Sequence, residues 1–308
     1  MTVPIYSIFT FGSSTNYIRF NDESMPYIFK ARMRYINNRD IRQFDIDIPN
    51  EPGSIDYLTT PGKEYMVIEG TLYGTDEASL YTGQEVLRRA TSPAITVDDP
   101  ESDDGYLPMK WSENVDKQLL VKPLYVDIPE SRKSAMKPAF RIFFKVRYPF
   151  EQSQTLHTTG FAPQAATGMT GTGTVIPTTG LIFPVGGIVF SADSGTGASA
   201  VNNIGGFKAF PTFNITAPVS NFRITNQTVG NFIEFTYNLA TGSAIIVCDY
   251  RGVTATASDG TNLMQYLTAA SDIENFYLKP GINNLTLTAT SIGVGSNITV
   301  SWQDTWPL

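Results

Sequence analysis

Between Tyr27 and Ile36 the chain alternates. Tyr27, Phe29, Ala31, Met33 and Tyr35 are apolar, whereas Lys30, Arg32 and Arg34 carry charge. A period of two predicts a strand with one face in a core and the other in water. EYMVIEGTLYG (64–74) and FRIFFKVRY (140–148) are predicted strands on their β-branched and aromatic content. Residues 76–93 change period. Leu80 and Leu87 share a helical face, Asp76 stands as N-cap, Arg88 and Arg89 lie near the C-terminus, and Pro93 follows. The second half reads as short strands at 231–239, 243–250, 283–290 and 297–306, separated by TGS, KPGINN and GVGSN. Strands of that length between Gly, Pro and Asn turns predict a sandwich. The expected fold is mainly β: an N-terminal β-sandwich with one short helix, then a C-terminal β-sandwich. No internal repeat of fixed period occurs.

Residues 45–74 predict two strands around one long turn, which carries Pro49, Asn50, Pro52, Gly53, Pro61 and Gly62. Proline fixes φ and lowers the entropy cost of holding a loop in one shape. The turn is also ringed by acids with no catalytic partner beside them.

The 308 residues suit two domains, and composition marks where they divide. Residues 1–150 hold 18 basic and 21 acidic side chains; residues 151–308 hold 4 and 8. The expected organisation is therefore an N-terminal domain at 1–150, a Thr/Gly-rich linker or loop at 151–180, and a C-terminal domain at 181–308. The linker contains TGTGT and lacks hydrophobic periodicity. Its GTGTV is not a phosphate loop, because no Gly-Lys-Ser/Thr follows.

The net charge of −7 argues against a protein that grips nucleic acid by its phosphates. It leaves open one that lets DNA slide past a mildly acidic wall. The start of the chain has no basic region followed by an apolar run, so no signal peptide is expected. No apolar stretch approaches eighteen residues, so no membrane span is expected.

Candidate chemistry is sparse. The one cysteine, Cys248, sits in an apolar strand and reads as a small buried side chain; the one histidine, His157, is its only possible base. DDPESDDG (98–105) fails as a calcium loop, since the glycine falls at position 7 and Lys110 at position 12. Asp45 and Asp47 share a strand face, which the alternation explains without glycosidase chemistry. Trp302, Trp306 and Tyr277 are the aromatics to consider for sugar stacking. Sequons at Asn214, Asn226, Asn284 and Asn297 suit chance in an Asn/Thr-rich half. No catalytic residue, cofactor or metal site is expected.

Two stretches carry a resemblance. RDIRQFDIDIPNEPGSIDYLTTPGKEYMVIEGTLYG runs into the helix ASLYTGQEVLRRATSP. NNIGGFKAFPTFNITAPVSNFRITNQTVGNFIEFTYNL continues through DGTNLMQYLTAASDIENFYLKPGINNLTLTAT to VSWQDTWPL. In their order along the chain, over roughly residues 30–95 and 180–308, they resemble the distal tail proteins of long, flexible-tailed (siphovirus-type) bacteriophages. That resemblance implies a virion protein made in the host cytoplasm. It implies a hexameric ring that joins the tail tube protein to the tail-tip hub, with receptor-binding proteins attached and DNA passing through its channel. It also implies a galectin-like C-terminal sandwich. In such a ring the stiff turn has a use: residues 49–63 are expected to touch a neighbouring subunit or an adjacent ring. The alternative is a carbohydrate- or receptor-binding module acting through the C-terminal sandwich in host adsorption.

Overall fold

The protein's structure, a computed structural model, describes residues 8–36, 41–47, 54–61, 65–128, 137–165, 198–274 and 276–307. At 34–36, 41–47, 54–61, 164–165 and 198 it does so by backbone alone. The chain forms two compact units, Met1–Gln154 with Pro307–Leu308, and Thr155–Trp306. Both are mainly β. Among the described residues no helix is long and apolar enough to cross a membrane.

The first unit contains β1 (Phe9–Gly12), β2 (Tyr17–Phe20), β3 (Tyr27–Ile36), β4 (Ile41–Asp47), β5 (Ser54–Pro61), β6 (Tyr65–Gly74), helices α1 (Glu77–Ala90) and α2 (Pro93–Asp98), β7 (Leu107–Ser112), β8 (Asp116–Asp127), β9 (Ala139–Val146) and β10 (Phe150–Ser153). One sheet runs in the order β2-β1-β7-β8-β9-β6-β3, and β10 adds to β8. The sheet curls until its end strands meet, so the layers of the expected sandwich come from a single hydrogen-bonded sheet. Asn21, just after β2, makes the closure. Its amide N donates to the carbonyl of Phe29 (2.8 Å). Its side chain accepts from Ala31 N (2.8 Å) and donates to Ala31 O (2.9 Å), standing in for a strand residue. Asn21 has φ 61, a left-handed conformation that asparagine tolerates.

The curl places aromatic rings from distant strands together. Phe20 of β2 stacks on Phe9 of β1 at 4.5 Å and lies 5.9 Å from Phe29 of β3; Phe29 meets Phe140 of β9 edge-on at 5.7 Å. All are buried, and each contributes about 2 kcal/mol by leaving water. The alternation of β3 appears as read: Phe29, Ala31 and Met33 point inward, Lys30 and Arg32 outward. Helix α1 covers one part of this core with Leu80, Leu87 and Ala90. Asp76 caps it, accepting from Ser79 N at 2.7 Å while the Ser79 hydroxyl reaches back to Asp76 N. Gly83 lets the helix approach closely, since a Cβ there would fall 2.9 Å from Leu72 Cδ1. Pro93, expected only as a stop, also opens α2, where a missing N–H costs nothing.

The structure divides the long turn expected at 49–63. Ser54–Pro61 is a strand, paired antiparallel with β4 from Asp47↔Ser54 to Ile41↔Pro61. Ile55, Tyr57, Leu58 and Thr59 are good strand formers, and the Pro-Gly pairs on either side had merged two breaks into one. Among the described residues, β4 and β5 pair only with each other.

The second unit contains β11 (His157–Phe161), β12 (Gln164–Ala165), β13 (Ala198–Asn203), β14 (Thr212–Thr216), β15 (Val219–Asn226), β16 (Asn231–Leu239), β17 (Ser243–Asp249), β18 (Gly252–Ala257), β19 (Gly281–Ile292) and β20 (Asn297–Trp302). Two sheets form, β11-β20-β14-β17-β18 and β12-β19-β15-β16, with β13 on β19. They enclose Phe213, Ile215, Phe222, Phe235, Leu287 and Val300. The segment expected as linker begins differently: residues 151–165 carry β10, β11 and β12, because a polar Thr-rich run pairs well at a sheet margin. The rest of it, 166–180, lies outside the described residues.

Candidate functional site

The residues with the best claim to chemistry are occupied structurally. Cys248 points into the core of the second unit, and burial, with Asp249 beside it, pushes its thiol far above the usual range. His157 is not its base. It lies on β11, separated from β17 by β20 and β14, about 14 Å at ~4.8 Å per strand. Instead His157 Nε2 sits 2.8 Å from Asp304 Oδ2, and its ring stacks over Trp302 at 5.4 Å. Asp304 is 1% exposed, and its other oxygen accepts from Ile204 N at 3.0 Å. The same segment is approached by Gly205, where a Cβ would fall 2.0 Å from Thr305 O.

The aromatics considered for sugar are engaged as well. Trp302 is buried, Trp306 is half-buried, and Tyr277 lies under the Lys208 ammonium at 4.2 Å. At the Asn226 sequon the side chain is fully buried, donating to Tyr277 O and to Asn283 Oδ1. That leaves no room for a glycan. Asp45 stands opposite Asp56 in the β4–β5 register, and Asp47 opposite Ser54.

The acidic loop 98–105 turns its carboxylates to structural work. Asp99 accepts from the Ser13 hydroxyl (2.7 Å) and from Glu101 N (2.9 Å). Glu101 accepts from Ser14 N and from its hydroxyl. Asp103 pairs with Arg147 Nη1 at 2.5 Å, and the Arg147 guanidinium lies 5.3 Å from the rings of Tyr106 and Tyr148. Among the described residues no group of three His, Cys, Asp or Glu side chains is placed to hold a metal.

The candidate turn and the exposed surface features of the first unit are what is left to place. Of the six turn residues, Pro49, Asn50, Pro52, Gly53 and Gly62 lie outside the described residues, and Pro61 ends β5 opposite Ile41. The structure adds two features that the sequence did not single out. One is a cleft of about 660 Å³ where the end strands of the first sheet meet, lined by Ile8, Glu23, Lys30, Ala31, Arg32 and Glu69. The other is α2, which exposes Ile95 and Val97 immediately before the acidic loop. Periodicity had no way to show the cleft, which depends on strands brought together from afar, and a helix of six residues is too short for periodicity to register.

Residues 204–306 match a family model described as siphovirus-type tail component, C-terminal domain. No curated protein matches the chain. Among solved structures, the chain is similar to the Dit protein of phage SPP1, described as a paradigm of the hub adsorption apparatus in phages that infect Gram-positive bacteria. The TM-score is 0.56 at 14% identity, covering 96% of this chain and 98% of that one. The phage P2 baseplate in its activated conformation also matches, with Ca at TM-score 0.49 and 9% identity, covering 97% of both chains. Its form with Sr matches at 0.47 and 9%, covering 96% and 97%. The chain is thus similar to siphovirus-type distal tail proteins, by sequence in its second unit and by fold over nearly all its length.

Proposed function

We propose that this chain is a structural protein of a long-tailed phage virion that acts by assembly rather than catalysis. Six copies close a ring at the distal end of the tail. The ring joins the tail tube to the tail-tip hub, offers attachment to receptor-binding proteins, and leaves a channel through which DNA passes without specific binding. The observation that carries this reading is the match of residues 204–306 to the siphovirus-type tail component domain. Two further features support it. The thiol and imidazole that nucleophilic chemistry needs are apart and committed to packing. The β4–β5 ribbon pairs with no other described strand, and two-stranded ribbons are marginal in water until something covers them. Residues 49–63, which include β5 and the turns beside it, contact a neighbouring subunit or an adjacent ring.

The test is the mass of the purified full-length chain by light scattering, with negative-stain images of the same sample. Rings of six copies around a channel that admits duplex DNA are expected. Monomers at every concentration, alone and with the tail tube protein, would overturn the ring.

A further inference from the structure

We propose that the outer face of the β19–β15–β16 sheet binds a neutral glycan between Arg223 and Glu234. The site lies within one copy and does not depend on the ring. Side chains along β15 and β16 alternate between two faces. Phe222, Ile224, Ile233 and Phe235 are fully buried in the core of the second unit. Arg223, Thr225, Phe232 and Glu234 therefore take the opposite face, where all four are half-buried. The register sets Arg223 against Glu234 on one side and Thr288 on the other, and it sets Thr225 against Phe232.

Opposite charges that face each other across two strands ordinarily pair. These two do not. The Arg223 guanidinium stacks over the Phe232 ring at 3.5 Å, and among the described residues it has no hydrogen-bond or ion-pair partner. The Glu234 carboxylate is drawn towards Thr268 instead, with one oxygen 3.4 Å from its hydroxyl. The Glu234 amide N donates to the Ser271 hydroxyl at 2.9 Å, which fixes the residue from the same side. A fork of N–H donors and a carboxylate acceptor thus stand side by side without meeting. The stack on Phe232 restrains the guanidinium, so less freedom is lost when a ligand binds.

That arrangement selects the ligand. An anion would meet Glu234, and a cation would meet Arg223. A neutral group that both accepts and donates satisfies the two. Adjacent sugar hydroxyls do so, since each accepts from the guanidinium and donates to the carboxylate. Thr225 and Thr288 stand beside the pair with further hydroxyls. A peptide also carries donors and acceptors, but extended peptides are commonly held at sheet edges. The edge beyond β16 is taken. Thr268 N donates to Glu234 O and Asp272 N to Phe232 O, both at 2.9 Å, and Leu267 bridges to Phe235. The face suits a sugar lying across the strands.

The test applies the full-length chain to an array of neutral hexose and N-acetylhexosamine oligosaccharides, with sialylated and phosphorylated ones beside them. Binding of a neutral oligosaccharide is expected. Arg223→Met and Glu234→Gln should each weaken it about tenfold or more, with Tm unchanged. Thr256→Ala, exposed on the outer face of the other sheet, should leave it as it was. Titrating the bound oligosaccharide into the wild type should shift the Arg223 side-chain N–H signal in NMR spectra, a readout that needs no variant. Three results would overturn the site: no neutral oligosaccharide bound at millimolar concentration, binding to anionic ones alone, or binding that leaves both variants and that signal unchanged. A chain that forms rings and gives any of these results loses this site and keeps the assembly reading. One that binds through Arg223 and never assembles keeps the site and loses the ring.

Discussion

The His157 ring nitrogen Nε2 lies 2.8 Å from Oδ2 of Asp304, joining the first strand of the second unit to a residue near its end. The carboxylate is almost completely buried and also holds Ile204 N. Asp304→Ala leaves that amide and the imidazole without an acceptor, and a cost of about 2 kcal/mol is expected. Asp304→Asn keeps an acceptor for Ile204 N and should cost less. Cys248 gives a local readout. As the sole cysteine, buried in the core of the same unit with its thiol held protonated, it reacts only when that unit opens. Thiol labelling should therefore run about thirtyfold faster in Asp304→Ala. An unchanged rate would mean that the pair does not hold the unit.

Asn21 predicts the opposite pattern. Asn21→Ala removes the two side-chain hydrogen bonds to Ala31 that close the first sheet. A loss of about 2 kcal/mol is expected in the first unit, with faster amide exchange at Ala31. Cys248 labelling should stay at the wild-type rate, because the thiol reports on the other core.

Much of this fold was legible in the sequence, and the parts that were not share a cause. The strands at 27–36 and 231–239 appear with the bounds their alternation predicts, and α1 begins at the expected cap, Asp76. These depend on neighbours along the chain. β5 was lost between two Pro-Gly breaks, and β10 to β12 in a polar run that holds strand shape only through its partners. The His157–Asp304 pair spans 147 positions. Asn21 acts as a strand residue only because the sheet curls back to it. A single sequence records side-chain periodicity well and long-range closure hardly at all.

The β4–β5 ribbon yields a prediction about assembly. Replacing residues 48–53 with Asn-Gly, a two-residue turn that hairpins favour, should leave both units folded, with Tm shifted by less than about 2 °C. Ring formation should be lost if the turn is a contact. Rings from the shortened protein would remove the turn from the interface.

The most direct test of the central claim is to locate the chain in the virion. Gold-labelled antibodies against residues 198–306, imaged on intact phage particles by electron microscopy, should mark the distal tip of the tail and no other place. Gold on the capsid, along the tail shaft, or absent from particles that assemble normally would contradict a distal tail protein.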